Sequence, residues 1–236
     1  MIRTDDSDGV RTITLDRPEA LNAFDTALYR AAGAALRDAA ADDTVKVAVI
    51  TGAGRAFSAG QDLKELERIA SGESAESGFP ELLDALGDFD KPLVAAVNGV
   101  AVGIGFTMLP HCDLVFVDEG ARMRTPFAEM GVPPEAASSL LFPAVMGWQR
   151  AAHVLFTNAW LGAAEAVEYG IALEVCPAGT VLERAQAVAA EIARGPLVAL
   201  RAIKTAMRDG RRDAVLAARV REDAAFAAVL GLPYPG

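Results

Sequence analysis

Residues 10–15, VRTITL, alternate apolar and polar positions with the two-residue period of a half-buried strand. Three further stretches are more continuously apolar: VKVAVITG (45–52), PLVAAVNG (92–99) and DLVFVDE (113–119). These read as buried strands, two of them running into glycine. Between them the pattern changes to helical. Asp25 is a suitable N-cap for a helix through about Ala40, and DLKELERIA (62–70) has an amphipathic helical period. A further helix is expected over Pro80–Leu86, and GIGFTMLPHC (103–112) reads as an apolar helix with Pro110 marking its stop or a kink. SGESAESG (71–78) is small and polar, the composition of a flexible surface loop. Beyond residue 135 nearly everything reads as helix. Strands alternating with helices, then a helical C-terminal third, give an α/β chain. A doubly wound sheet, part of a barrel and a stacked spiral of strand–strand–helix turns all satisfy this pattern.

Composition narrows the class. The 236 residues are 52% hydrophobic and 23% charged, enough for one large core or a domain with an appendage. A net charge of −10 disfavours nonspecific binding to nucleic acid or anionic membrane, so an anionic ligand needs a local basic patch or backbone N–H groups. The first residues, MIRTDDSDGVRT, contain no apolar signal core, and no apolar run approaches the roughly 20 residues that span a bilayer. A cytoplasmic protein without membrane or nucleic-acid partners is the expectation. Cys112 and Cys176 are too few for a disulfide framework, and beside His111 and His153 they lack zinc spacing, so no metal is expected.

Three stretches could carry chemistry. VITGAGRAFSAGQDLKEL (49–66) begins as a dinucleotide fingerprint, but Phe57 stands where the third glycine belongs, and Gly60 interrupts any helix before Asp62. It remains a glycine-rich turn that could present backbone N–H groups around Ser58–Gly60. VNGVAVGIGFTM (97–108) repeats the arrangement, with the N–H of Ile104 at a helix start. Two such turns could aim their amides at one oxygen atom. RTPFAEMGVPPEAASS (124–139) holds two carboxylates, Glu129 and Glu135. Glu135 follows two prolines, a position suited to an acid in the first turn of a helix. Phe127, Val132 and the alanines around it would equally desolvate it into a base. Local sequence leaves cap and base open.

In combination, DRPEALNAF, AFSAGQDLKEL, AVNGVAVGIGFTMLPHCDLVF and TPFAEMGVPPEAASSLLFPAVMG resemble the crotonase (enoyl-CoA hydratase/isomerase) superfamily over residues 10–175. The resemblance implies a crotonase-like spiral of ββα turns over 1–190. It also implies a helical C-terminal region over 191–236 that trimerises and covers the pocket, as a homotrimer or dimer of trimers. The implied ligand is an acyl-CoA thioester, with no cofactor beyond the coenzyme A of the substrate. The implied oxyanion hole falls on the backbone N–H groups of Ser58 and Ile104, each such donor being worth about 3 kcal/mol in a transition state. Substrate or CoA contact is implied for Ala20, Ala56, Gly60, Gln61, Asp62, Leu63, Gly103 and Phe127.

Hydratases of this superfamily carry two glutamates, at positions that here are Thr107 and Phe127. Glu135 instead matches the single acid of Δ3,Δ2-enoyl-CoA isomerases of the peroxisomal type, with Ala136 where glycine is frequent. In that context base ranks before cap, and Glu129 is expected to be solvated or ion-paired. Rival readings are another crotonase reaction, either hydration or thioester hydrolysis, and an acyl-CoA-binding subunit without turnover. Arg201 and Lys204 could meet CoA phosphates or simply be solvated. The sequence reaches LGLPYPG and is expected to stop sooner than many of that superfamily, which continue with a further alanine-rich helical tail.

Overall fold

The computed structural model describes residues 1–70 and 78–231. A hairpin, β1 (Ile2–Ser7) and β2 (Val10–Leu15), leads to α1 (Thr26–Ala41). Three strand pairs follow: β3 (Val47–Gly52) with β4 (Ala56–Ser58), β5 (Leu93–Val97) with β6 (Val100–Val102), and β7 (Leu114–Asp118) with β8 (Arg122–Arg124). Each pair is followed by helix: α2 (Leu63–Ala70) and α3 (Phe79–Asp88), then α4 (Ile104–Thr107), then α5 (Phe127–Met130). The remainder comprises α6 (Ser138–Met146), α7 (Trp148–Thr157), β9 (Leu161–Gly162), α8 (Ala163–Glu168), β10 (Glu174–Cys176), α9 (Val181–Ala193) and α10 (Leu197–Leu230). The first strand of each pair joins a six-stranded sheet ordered β1-β2-β3-β5-β7-β10. The second joins a four-stranded sheet ordered β4-β6-β8-β9. The chain therefore climbs as a spiral of ββα turns.

The large sheet is parallel from β2 to β10, and both its faces are covered. Val47, Val49, Val94, Ala96 and Phe116 pack on α9 through Val181, Ala185 and Ala189. Ala48, Ile50, Ala95 and Val97 face the opposite cluster with Leu28, Leu36 and Phe57. Burial on both faces is why these strands are continuously apolar. α1 begins where its sequence says: Asp25 Oδ1 accepts from the N–H of Leu28 at 2.8 Å. Its C-terminal end is held by a group from another element. Lys91, fully buried, donates to the carbonyls of Ala39 and Asp42 at 2.7 Å each.

Several expectations require correction. GIGFTMLPHC is not one helix: α4 stops at Thr107, and a 3₁₀ turn over Leu109–His111 follows, because Pro110 cannot donate into a continuing α-helix. The chain past residue 135 is not all helix, since β9 and β10 each extend a sheet. β1, β4, β6 and β8 were not expected; all but β1 are only three residues long, too short for a periodic signal. α9 runs over Val181–Ala193 and packs on the large sheet. Most of the loop expected over 71–78, and the LPYPG of the ending, lie outside the described residues.

Candidate active site

The two glycine turns meet. A side chain on Gly105, in α4, would put its Cβ 2.7 Å from the carbonyl oxygen of Ser58, so only glycine lets the turns approach this closely. Gly60 (φ 88°) is likewise pressed on the second turn, where an added Cβ would stand 2.7 Å from the oxygen of Val102. Ile104 is the first residue of α4, and its N–H is among those a helix leaves without an intrahelical partner. Ser58 is fully buried, with its hydroxyl donating to the carbonyl of Asn22 at 2.8 Å and accepting from Gly60 N–H at 3.1 Å.

Glu135 closes the third side. Its Oε1 lies 3.9 Å from where a Cβ on Gly103 would sit. It is not in the first turn of a helix: α5 ends at Met130, and α6 begins only at Ser138. Glu135 as a residue is half-buried, and its carboxyl lies deep enough to titrate abnormally. Burial first, then the like charge of Glu222, raise its pKa from 4.5 to about 7. The Thr107 hydroxyl, which is buried and finds no other partner among the described residues, pulls in the opposite direction. Tyr29 completes this wall. Burial and then the charge of Glu135 push its phenol pKa up, and its O–H donates to Gln61 Oε1 at 2.9 Å. Gln61 Nε2 is buried without a hydrogen-bond partner among the described residues.

The two residues after Glu135, Ala136 (φ 57°) and Ala137 (φ 58°), are left-handed, at a cost of about 1–2 kcal/mol each for a residue with a Cβ. The carbonyl of Ala136 is held by His111 Nε2 at 2.9 Å. A carbonyl can only accept, so this nitrogen carries the proton. Burial lowers the pKa of His111 to about 4, and the ring is neutral at pH 7. The N–H groups of Ala137 and Ser139 donate to Glu222 at 2.7 and 2.9 Å. The acid capping α6 is therefore Glu222, not Glu135.

Residues 5–230 match the model of the enoyl-CoA hydratase/isomerase family. The chain belongs to that family. A curated relative is the enoyl-CoA delta isomerase 2 of Rattus norvegicus, 41% identical over 177 residues. That match takes in 73% of this chain but 45% of the relative, so the chain spans about half the rat protein's length. The 2,3-dehydroadipyl-CoA hydratase of Escherichia coli is 34% identical over 92% of this chain and 85% of its own. An enoyl-CoA hydratase/isomerase structure from Pseudoalteromonas atlantica superposes with a TM-score of 0.92 at 32% identity, covering 97% of this chain and 91% of that one. The spiral is thus the crotonase fold.

Within this member of the enoyl-CoA hydratase/isomerase family, the remaining expected residues occupy varied settings. Phe127 is buried at the start of α5, and Leu63 is 62% exposed at the start of α2. Asp62 caps α2 through the N–H of Lys64 at 3.0 Å and pairs with Arg17 at 2.8 Å. Burial, the largest single influence, would raise its pKa, but the bond and charge of Arg17 together with the N–H groups of Glu65 and Lys64 outweigh it and lower the pKa. Ala20 ends a 3₁₀ turn, and the carbonyl of Ala56 accepts from Asn22 at 2.8 Å. Glu129 is ion-paired with Arg124 and its side chain is largely exposed. Arg201 and Lys204 are both engaged in ion pairs, Arg201 half-buried and Lys204 buried. Arg201 pairs with Asp43 and Asp90, and Lys204 holds both oxygens of Asp113 at 2.8 Å. Sequence reasoning missed Tyr29, His111 and Glu222 as parts of this site. Each sits in an ordinary helical or apolar stretch, and only the fold brings it here. Among the described residues no group of His, Cys, Asp and Glu could hold a metal ion, and no helix is long and apolar enough to cross a membrane.

Proposed function

We propose that this enzyme isomerises 3-enoyl-CoA to 2-enoyl-CoA by a one-carboxylate proton shuttle. Glu135 removes a proton from C2 of the bound thioester. The backbone N–H groups of Ser58 and Ile104 stabilise the oxygen of the resulting dienolate. The protonated Glu135 then returns the proton at C4, leaving the double bond conjugated. Coenzyme A enters only as part of the substrate, and the working assembly is a homotrimer or a dimer of trimers.

One observation carries the reading: a carboxylate with a pKa of about 7 stands against the two converged glycine turns, while Thr107 and Phe127 occupy the positions of a hydratase's acids. A base poised near the working pH exchanges protons efficiently in both directions. The match to the Escherichia coli hydratase supports a second reading, hydration with water held by a group other than a second acid. Turnover of trans-3-hexenoyl-CoA, followed by appearance of the conjugated thioester, decides between them when crotonyl-CoA hydration is assayed in parallel. Isomerisation without hydration is the expected result. Hydration alone would overturn the shuttle, and binding of acyl-CoA with neither reaction would indicate a non-catalytic subunit.

A further inference from the structure

The turn that carries Glu135 is closed locally by one backbone bond, from Ser138 N–H to the carbonyl of Glu135 at 2.9 Å, and the rest of its support comes from elsewhere. Two prolines precede the acid, two left-handed alanines follow it, and the N-cap position of α6 is Ala137, which has no side chain able to cap. A helix start leaves backbone N–H groups without partners, and here those of Ala137 and Ser139 are satisfied from far along the chain. Glu222 of α10 is only 5% exposed. Its Oε2 accepts from Ala137 N–H and its Oε1 from Ser139 N–H, one oxygen to each donor. The opposite side of the same turn is fixed by His111 on the carbonyl of Ala136.

We propose that Glu222 is a positioning residue of the active site, its carboxylate clamping the turn after Glu135 so that this acid faces the two glycine turns. The proposal rests on Glu135 being the catalytic base. Glu222 also acts on Glu135 through space, as the like charge that adds to burial in raising its pKa. The other groups bearing on this corner are the protonated phenol of Tyr29 from α1, the hydroxyl of Thr107 from α4 and the neutral ring of His111. From α10, Lys204, Arg211 and Arg219 act on His111, and Arg219 is paired with Asp84 of α3.

Two variants test the clamp. Glu222→Gln removes the charge and replaces one of the two acceptors by an NH2 donor, whereas Glu222→Asp keeps the charge and both acceptors but withdraws them by one methylene. Infrared difference titration of the Glu135 carboxyl, assigned by its loss in Glu135→Gln, reads the base without requiring turnover. In Glu222→Gln the carboxyl is expected to titrate at lower pH than in the wild type. Its kcat for trans-3-hexenoyl-CoA should fall on the order of 10- to 100-fold with KM little changed, the size expected from a misplaced base. Glu222→Asp is expected to lose kcat similarly while the Glu135 titration stays near its wild-type position. A folded Glu222→Gln with unchanged titration and unchanged kcat overturns the proposal. If that variant does not fold, a folded Glu222→Asp with wild-type kcat overturns it. Should wild-type protein fail to isomerise, the reading of Glu135 as an isomerase base fails by itself, and the infrared shift still reports whether Glu222 governs Glu135.

Discussion

Glu135 is expensive for the fold in the state that is useful for chemistry. Its folded pKa of about 7 lies above the ordinary 4.5, so the folded protein holds that proton more tightly than the unfolded chain. Stability from this group is therefore full below about pH 4.5 and is lost as pH rises through about 7. Glu135→Gln should be more stable than wild type at pH 8 by on the order of 1–3 kcal/mol, a gain that vanishes near pH 4, as read by denaturant unfolding at both values. The same variant should lose isomerase activity by more than about 100-fold. For the wild type, kcat/KM should rise with pH through about 7, because the free enzyme must present the carboxylate. A flat profile between pH 6 and 8 would remove Glu135 from the role of base. Sequence showed half of this: an acid among prolines and alanines reads as desolvated, but the second carboxylate that adds to the shift comes from a helix with no local sign of involvement.

At the level of elements, ends and close approaches matter more than propensity. Asp25 was legible as the start of α1 because an N-cap bonds within its own turn. Lys91 was not, since it reaches the end of α1 from the approach to β5. Lys91→Met should leave one buried and one half-buried carbonyl without this donor and cost about 2 kcal/mol in chemical denaturation, with activity per folded molecule unchanged. The contact of α4 with the first glycine turn predicts a different result. In Gly105→Ala the new methyl must displace the Ser58 backbone, so activity should fall on the order of 100-fold even where the protein stays folded. α4 itself was misread because four residues before a 3₁₀ turn carry no helical period, whereas the glycines that pin it were conspicuous.

Across the whole molecule, the large parallel sheet was legible from its continuous apolar runs, and the small sheet was not. Its strands are two or three residues long and are defined by their neighbours. The role of α10 was hidden for a similar reason: its partners are dispersed along the chain. Arg201 ties it to Asp43 and Asp90, Lys204 to Asp113, Arg212 to Asp88 and Arg219 to Asp84. Most of these pairs are exposed and contribute little, but Lys204 is 5% exposed. Lys204→Met should leave Asp113 with only the N–H of Leu93 and solvent, and destabilise the protein by about 1 kcal/mol, measurable as a lowered denaturation midpoint. One consequence concerns the order in which a ribosome delivers the chain. Both glycine turns and Glu135 emerge early, whereas Glu222 follows Ser139 by 83 residues. Tyr29, Thr107 and His111 are likewise synthesised well before this clamp, and any product terminated before Glu222 lacks that fastening altogether.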